Sequence, residues 1–170
     1  VLLVSGGSMA NLVALTVARN VKAGYDVRAE GAGGGPQLVV YASREVHSCY
    51  QKAVELLGLG SKYGLHKLPV GEDFRIDLGA LAAAIAEDRA AGRQPICVIG
   101  SAGTVNTGAI DDLNALADVC EREGLWFHVD GAYGAPAARV SGAPEDLRGL
   151  ALADSVAVDP HKWFYSALEA

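Results

Sequence analysis

Three absences narrow the reading of this 170-residue chain. Its three cysteines, Cys49, Cys97 and Cys120, are odd in number, widely spaced and without a CxxC pair. That excludes a disulfide framework and a zinc knuckle, and reads as reduced thiols in a cytoplasmic protein. There is no run of lysine or arginine, and the formal net charge of −6 argues against a nucleic-acid partner. No apolar stretch approaches the roughly 18 residues needed to cross a bilayer, so no membrane partner is expected. Val1-Leu2-Leu3-Val4 is too short for a signal-peptide core and lacks a basic leader. The chain also has no internal repeat and no initiating methionine, and it stops at Ser166-Ala167-Leu168-Glu169-Ala170 without a closing element. The expectation is a segment of a longer protein.

What is present reads as one globular domain, with 51% apolar and 20% charged residues. Short apolar runs suited to buried strands fall at Leu38–Tyr41, Ile96–Gly100, Leu125–Asp130 and Ser155–Val158, with weaker ones at Val1–Val4 and Leu65–Val70. Helical patterns lie between them. Ser8 is placed to cap the first, which runs past Ala18 towards Gly24. Val46 to Leu57, Leu78 to Ala91 after Asp77, and Leu113 to Glu123 after Asp111 or Asp112 are the others, the last closed by Gly124. Strand–helix alternation predicts an α/β fold with a mainly parallel sheet and helices on both faces. Glu30-Gly31-Ala32-Gly33-Gly34-Gly35-Pro36 reads as a flexible surface turn. Its glycines are no nucleotide fingerprint, which needs a strand before and a helix after.

Four segments carry residue types suited to chemistry. Ser5-Gly6-Gly7-Ser8 follows an expected strand and opens a helix, so Gly7 and Ser8 form either an anion cradle or a plain capped turn. His47, after the strand ending near Tyr41, is either a ring-stacking or proton-carrying imidazole or an exposed bystander. In His128-Val129-Asp130, alternation puts His128 and Asp130 on one face and Phe127 and Val129 on the other. Asp130 at the end of a buried strand needs a partner or acts as a strand-end cap. A metal reading lacks a third ligand at a recognisable spacing, so no metal is expected. Lys162, in Asp159-Pro160-His161-Lys162-Trp163, would alone be a solvated amine. Its position after the run Val156-Ala157-Val158 sets it on the sheet edge where strand ends collect. An anion cradle, a carboxylate and an amine on one edge match the phosphate, ring nitrogen and aldehyde of pyridoxal phosphate.

With Val46-His47-Ser48 and Gly103-Thr104 between them, these motifs occur in an order and spacing that resembles the group II pyridoxal phosphate-dependent amino-acid decarboxylases, over nearly the whole chain. The resemblance implies an incomplete large domain of the fold type I, transferase-like kind. Residues 1–170 would be its central part, lacking the N-terminal arm and the C-terminal small domain. It implies decarboxylation of a small-molecule L-amino acid in a cytoplasmic homodimer. Gly7 and Ser8 would hold the phosphate, with Ser155 a weaker candidate. His47 would stack on the ring, Ala132 would pack beside it, and Asp130 would pair with the ring nitrogen. Lys162 would carry the cofactor as an imine, Thr104 would offer a hydroxyl, and His161 would lie on the phosphate or the substrate side. Lys162, His47 and Asp130 would be the catalytic set.

Three departures stand out: Val105 replaces a frequent threonine, Gly131 replaces an alanine and loosens its turn, and Asp159 replaces an asparagine found in some relatives. As an anion near a phosphate, Asp159 is unfavourable unless it points away. An aminotransferase or carbon–sulfur lyase, an aldehyde-forming relative, and a segment without activity remain alternatives.

Overall fold

Five of the expected apolar runs form one sheet in the computed structural model, which describes residues 1–164, 166 and 167. Leu168-Glu169-Ala170, part of the expected open end, lies outside the described residues. The strands are β1 (Leu38–Ser43), β2 (Leu65–Leu68), β3 (Gln94–Ser101), β4 (Trp126–Asp130) and β5 (Ser155–Ala157), in the order β2-β1-β3-β4-β5. Every neighbouring pair is parallel. The chain steps outward from β1 to β2 and returns past β1 to β3, so the strand order reverses between β1 and β3, the place where open α/β sheets bind ligands.

The remaining elements are α1 (Gly7–Lys22), α2 (Val27–Glu30), α3 (Cys49–Leu56), α4 (Leu78–Ala90), α5 (Leu113–Glu123) and α6 (Pro160–Trp163), with short 3₁₀ turns at Ala135–Arg139 and Glu145–Leu152. Strand alternation decides which helix covers which face. Phe127 and Val129 pack with Leu81 and Ile85 of α4 and Leu113 and Leu116 of α5. Val40, Ala42 and Ile99 pack on the other face with Leu15 and Ala18 of α1 and Tyr50 and Val54 of α3. His128 and Asp130 therefore face α1 and α3.

Two helix starts follow the sequence closely. The Asp77 carboxylate accepts from the Ala80 amide at 2.9 Å, and Asp112 from the Ala115 amide at 3.0 Å. Of the two aspartates at the start of α5, Asp112 is the cap. Asp111 turns inward and accepts from the Ile76 and Ser101 amides, both at 2.8 Å, which ties the end of β3 to the preceding loop. Burial pushes the Asp111 carboxyl above its ordinary value, and the two amide donors oppose that rise.

Three expectations need correction. Val1–Val4 forms no strand, and Val1, Leu2 and Leu3 are exposed. An apolar run becomes a strand only where a neighbour takes up its backbone groups, and no strand pairs with it among the described residues. Ser8 is not the cap of α1: the helix begins at Gly7 with Gly6 before it, at φ 92°. The glycine-rich turn is packed as well as exposed, because a Cβ on Gly35 would fall 2.3 Å from the Tyr25 ring, whose hydroxyl donates to the Ala32 carbonyl at 2.9 Å. The single turn α2, capped by Asp26, precedes it and was not expected.

Candidate active site

Register sets the rim of the sheet. Ser101, Asp130 and Ala157 are direct partners across β3, β4 and β5, so the Asp130 carboxylate stands where three strands end together. The start of α1 comes over the same rim, and a cleft of about 180 Å³ opens between them. Gly7, Ser8, His47, Thr104, Asp130, Ala132 and Lys162 all line it. Ser155 and His161 do not.

Each lining residue is held by local geometry. The Met9 and Ala10 amides both donate to the Gly6 carbonyl at 3.1 Å, while the Gly7 and Ser8 amides have no backbone partner among the described residues. They are free donors at the positive end of a 16-residue helix. Asp130 accepts from the Ala132 amide at 3.2 Å and from the Asn11 side chain at 3.5 Å. His47 precedes α3 rather than opening it, and its Nδ1 accepts the Cys49 amide at 3.1 Å, which leaves the hydrogen on Nε2. Thr104 pairs its hydroxyl with Thr107 at 2.6 Å, and the neighbouring Val105 lines the cleft as an exposed apolar side chain.

Lys162 lies in α6 with its amine 3.6 Å from the Asp159 carboxylate. The other oxygen of that carboxylate is 2.5 Å from His161 Nδ1. Asp159 does not point away from the anion cradle: a Cβ on Gly7 would lie 3.5 Å from its Oδ2. The His161 ring and the Lys162 amine both lie against it, so His161 meets Asp159 and does not line the cleft. Ser155 is also corrected. It pairs with His128, two residues short of the β4 rim, and its hydroxyl is taken by the Trp126 indole at 2.8 Å and by His128 at 2.9 Å. Gly131 does not loosen its turn, because a Cβ there would meet Ala135 Cβ at 2.5 Å.

Asn11, Cys49 and Glu45 also line the cleft and were not anticipated. Asn11 had a signal: it sits one helical turn after Gly7 and so on the same face. Burial pushes the Cys49 thiol up, which keeps it protonated.

A family model described as the pyridoxal-dependent decarboxylase conserved domain matches residues 2–170. The chain belongs to this decarboxylase family. It is 44% identical over 164 residues to an aromatic-L-amino-acid decarboxylase of Bacillus atrophaeus, covering 96% of this chain and 32% of that protein. An acidic amino acid decarboxylase of Bos taurus is 34% identical over 164 residues, covering 96% and 31%. The crystal structure of mouse CSAD superimposes with a TM-score of 0.93 at 35% identity, covering 99% of this chain and 35% of that one. The chain thus spans about a third of the length of the relatives it matches.

The donor set fits the family's cofactor. Two free amides at a helix start suit a phosphate, an acceptor-only carboxylate on the rim suits a protonated ring nitrogen, and a primary amine suits an aldehyde. Among the described residues, no group of three or more His, Cys, Asp or Glu is placed to hold a metal ion, and no helix is long and apolar enough to cross a membrane.

Behind the cleft, His128 is fully buried and bonded on both ring nitrogens, to Ser155 and to Asn11. Burial pushes it down from 6.5 to about 4, so it is neutral at neutral pH. A depressed histidine stabilises the fold above its unfolded value, and that stability is lost as pH falls through 6.5 towards about 4. The gap corresponds to roughly 3 kcal/mol. Urea denaturation of the full-length protein is expected to show this loss between pH 7 and pH 4, and His128→Gln is expected to flatten the slope. An equal slope in wild type and variant would assign the pH dependence to other groups.

Proposed function

We propose that residues 1–170 are the central part of the cofactor-binding domain of an enzyme that converts an L-amino acid to its amine and CO2. The observation that carries this reading is the convergence of Asp130, Lys162 and the free Gly7 and Ser8 amides on one cleft at the sheet rim. Bound pyridoxal phosphate supplies a ring that takes up the electron pair left when CO2 departs.

The chain's own residues then have distinct tasks. The Gly7 and Ser8 amides hold the phosphate, and the dipole of α1 favours its charge. Asp130 accepts a hydrogen bond from the protonated ring nitrogen, and the Ala132 amide on its Oδ1 keeps the carboxylate from turning. Lys162 would hold the aldehyde through its amine, and the same amine would serve to move protons at the cleft. His47, with its hydrogen on Nε2, borders the cleft with a planar ring. Ala132 keeps that wall small. Asp159 holds the Lys162 amine and is itself met by the His161 ring. A homodimer accompanies this reading on family resemblance.

Relatives named for aromatic and for acidic amino acids match over the same residues, so the proposal is made at the level of L-amino acids. The test is a panel of L-amino acids given to the full-length protein with pyridoxal phosphate, measuring CO2 and product. CO2 and amine in equal amounts from at least one of them are expected. Keto acid or aldehyde without amine, or no CO2 across the panel, would reject the proposal.

A further inference from the structure

A chain of hydrogen bonds runs through the buried face behind Asp130, and its direction is fixed from the Asp130 end. At one end, the Asp130 carboxylate only accepts, so the Asn11 amide must turn its nitrogen towards Oδ2, 3.5 Å away. The Asn11 oxygen then faces His128 Nε2 at 3.0 Å, which requires the hydrogen on Nε2. At the other end, the Trp126 indole only donates, so at 2.8 Å it occupies the Ser155 oxygen as an acceptor. The Ser155 oxygen keeps a second lone pair, so its hydroxyl meets His128 Nδ1, 2.9 Å away, as donor or as acceptor and suits either tautomer. The Asp130 end fixes the tautomer with the hydrogen on Nε2, and the Ser155 hydroxyl accommodates it.

One contact opposes this. The Ser155 carbonyl lies 3.2 Å from Nδ1 and would suit a hydrogen there. That tautomer would set the Asn11 oxygen against a bare Nε2 or, if the amide flipped, against the Asp130 carboxylate. Either repulsion falls in a fully buried place, where it is least tolerated. The doubly protonated ring would satisfy every contact, but burial keeps His128 neutral at neutral pH.

We propose that Asn11 is a positioning residue for Asp130: the Nε2–H tautomer of His128 holds the Asn11 amide oxygen and so turns the amide N–H groups onto the carboxylate. The proposal rests on the reading of Asp130 as the partner of the cofactor's ring nitrogen. With the Ala132 amide on one oxygen and Asn11 on the other, each oxygen of Asp130 has one donor, and the plane of the group is set. The Tyr50 hydroxyl, 3.2 Å from the same His128 Nε2, closes the pocket, and burial together with the Asp130 charge keeps its phenol protonated. The Asn11 contact is long for a bond to a charged acceptor, so its role is aiming and its effect is moderate.

The experiment uses the full-length protein loaded with pyridoxal phosphate labelled with ¹⁵N in the ring, and with ¹⁵N-histidine. At neutral pH the wild type is expected to show His128 protonated on Nε2 alone and a protonated ring nitrogen. Asn11→Leu, close in size but without a donor, is expected to move the ring-nitrogen signal towards the unprotonated form. It should also lower kcat roughly threefold to tenfold with KM little changed. Ser155→Ala, two steps from the carboxylate, is expected to move the same signal in the same direction by less. A hydrogen on His128 Nδ1 in the wild type, or an unmoved ring-nitrogen signal in a folded Asn11→Leu, overturns the proposal. Should Asn11→Leu not fold, the wild-type tautomer and Ser155→Ala decide it. A wild type that holds no cofactor at all overturns the decarboxylase reading along with it, whereas a loaded wild type with a silent Asn11→Leu overturns the positioning role alone.

Discussion

Lys162→Ala in the full-length protein is expected to abolish the visible absorbance of covalently held cofactor and to lower the decarboxylation rate about a thousandfold or more. Two losses combine: the amine that anchors the aldehyde, and the base that later moves protons. Alanine also removes the ammonium beside Asp159, leaving the carboxylate with the His161 ring. Lys162→Arg separates these effects. Arginine keeps a positive charge within reach of Asp159 but stays protonated and cannot condense with an aldehyde. Both variants should lose the absorbance band, and Lys162→Arg should keep more of the wild-type stability in urea. Retention of the band in either variant would move the anchoring role to another lysine.

Asp130→Asn is expected to lower kcat on the order of a hundredfold to a thousandfold while the cofactor still attaches to Lys162. The side chain keeps its shape, and an amide oxygen can still accept from the Ala132 amide that now bonds Oδ1. What disappears is the negative charge that keeps a ring nitrogen protonated, and with it the ring's capacity to accept electrons. Asp130→Glu keeps the charge but displaces it by one methylene, so it should recover part of the rate. Steady-state kinetics on the loaded proteins checks the order wild type, Glu, Asn. Near-wild-type kcat in Asp130→Asn would show that the carboxylate is a strand-end cap and no more.

Much of this was legible in the sequence because it depended on local pattern. Apolar runs bounded by turns marked β1, β3, β4 and β5, and alternation along β4 correctly sent His128 and Asp130 to one face. A carboxylate and a lysine each placed after a strand had to meet at one rim once the sheet was parallel. The errors all needed pairing or depth that a linear pattern does not carry. Val1–Val4 is apolar enough for a strand but pairs with no strand among the described residues. Ser155 belongs to a strand that ends at the rim, yet its register with His128 sets it two residues below. His161 and Asp159 were read as separate cofactor neighbours. The short helix α6 folds them onto each other, and Asp159 is left facing Gly7. The place of Asn11 is not legible in the sequence, since it depends on α1 lying across β4 so that the amide reaches Asp130.

The central claim is that Lys162 carries the cofactor opposite Asp130, and borohydride reduction tests it most directly. Reduction of the full-length protein loaded with pyridoxal phosphate fixes the cofactor to its amine, and peptide mapping then locates it. One equivalent per chain is expected on the peptide containing Asp159-Pro160-His161-Lys162-Trp163, attached at Lys162. Label on a different lysine, or none above the level of a denatured control, would contradict the account.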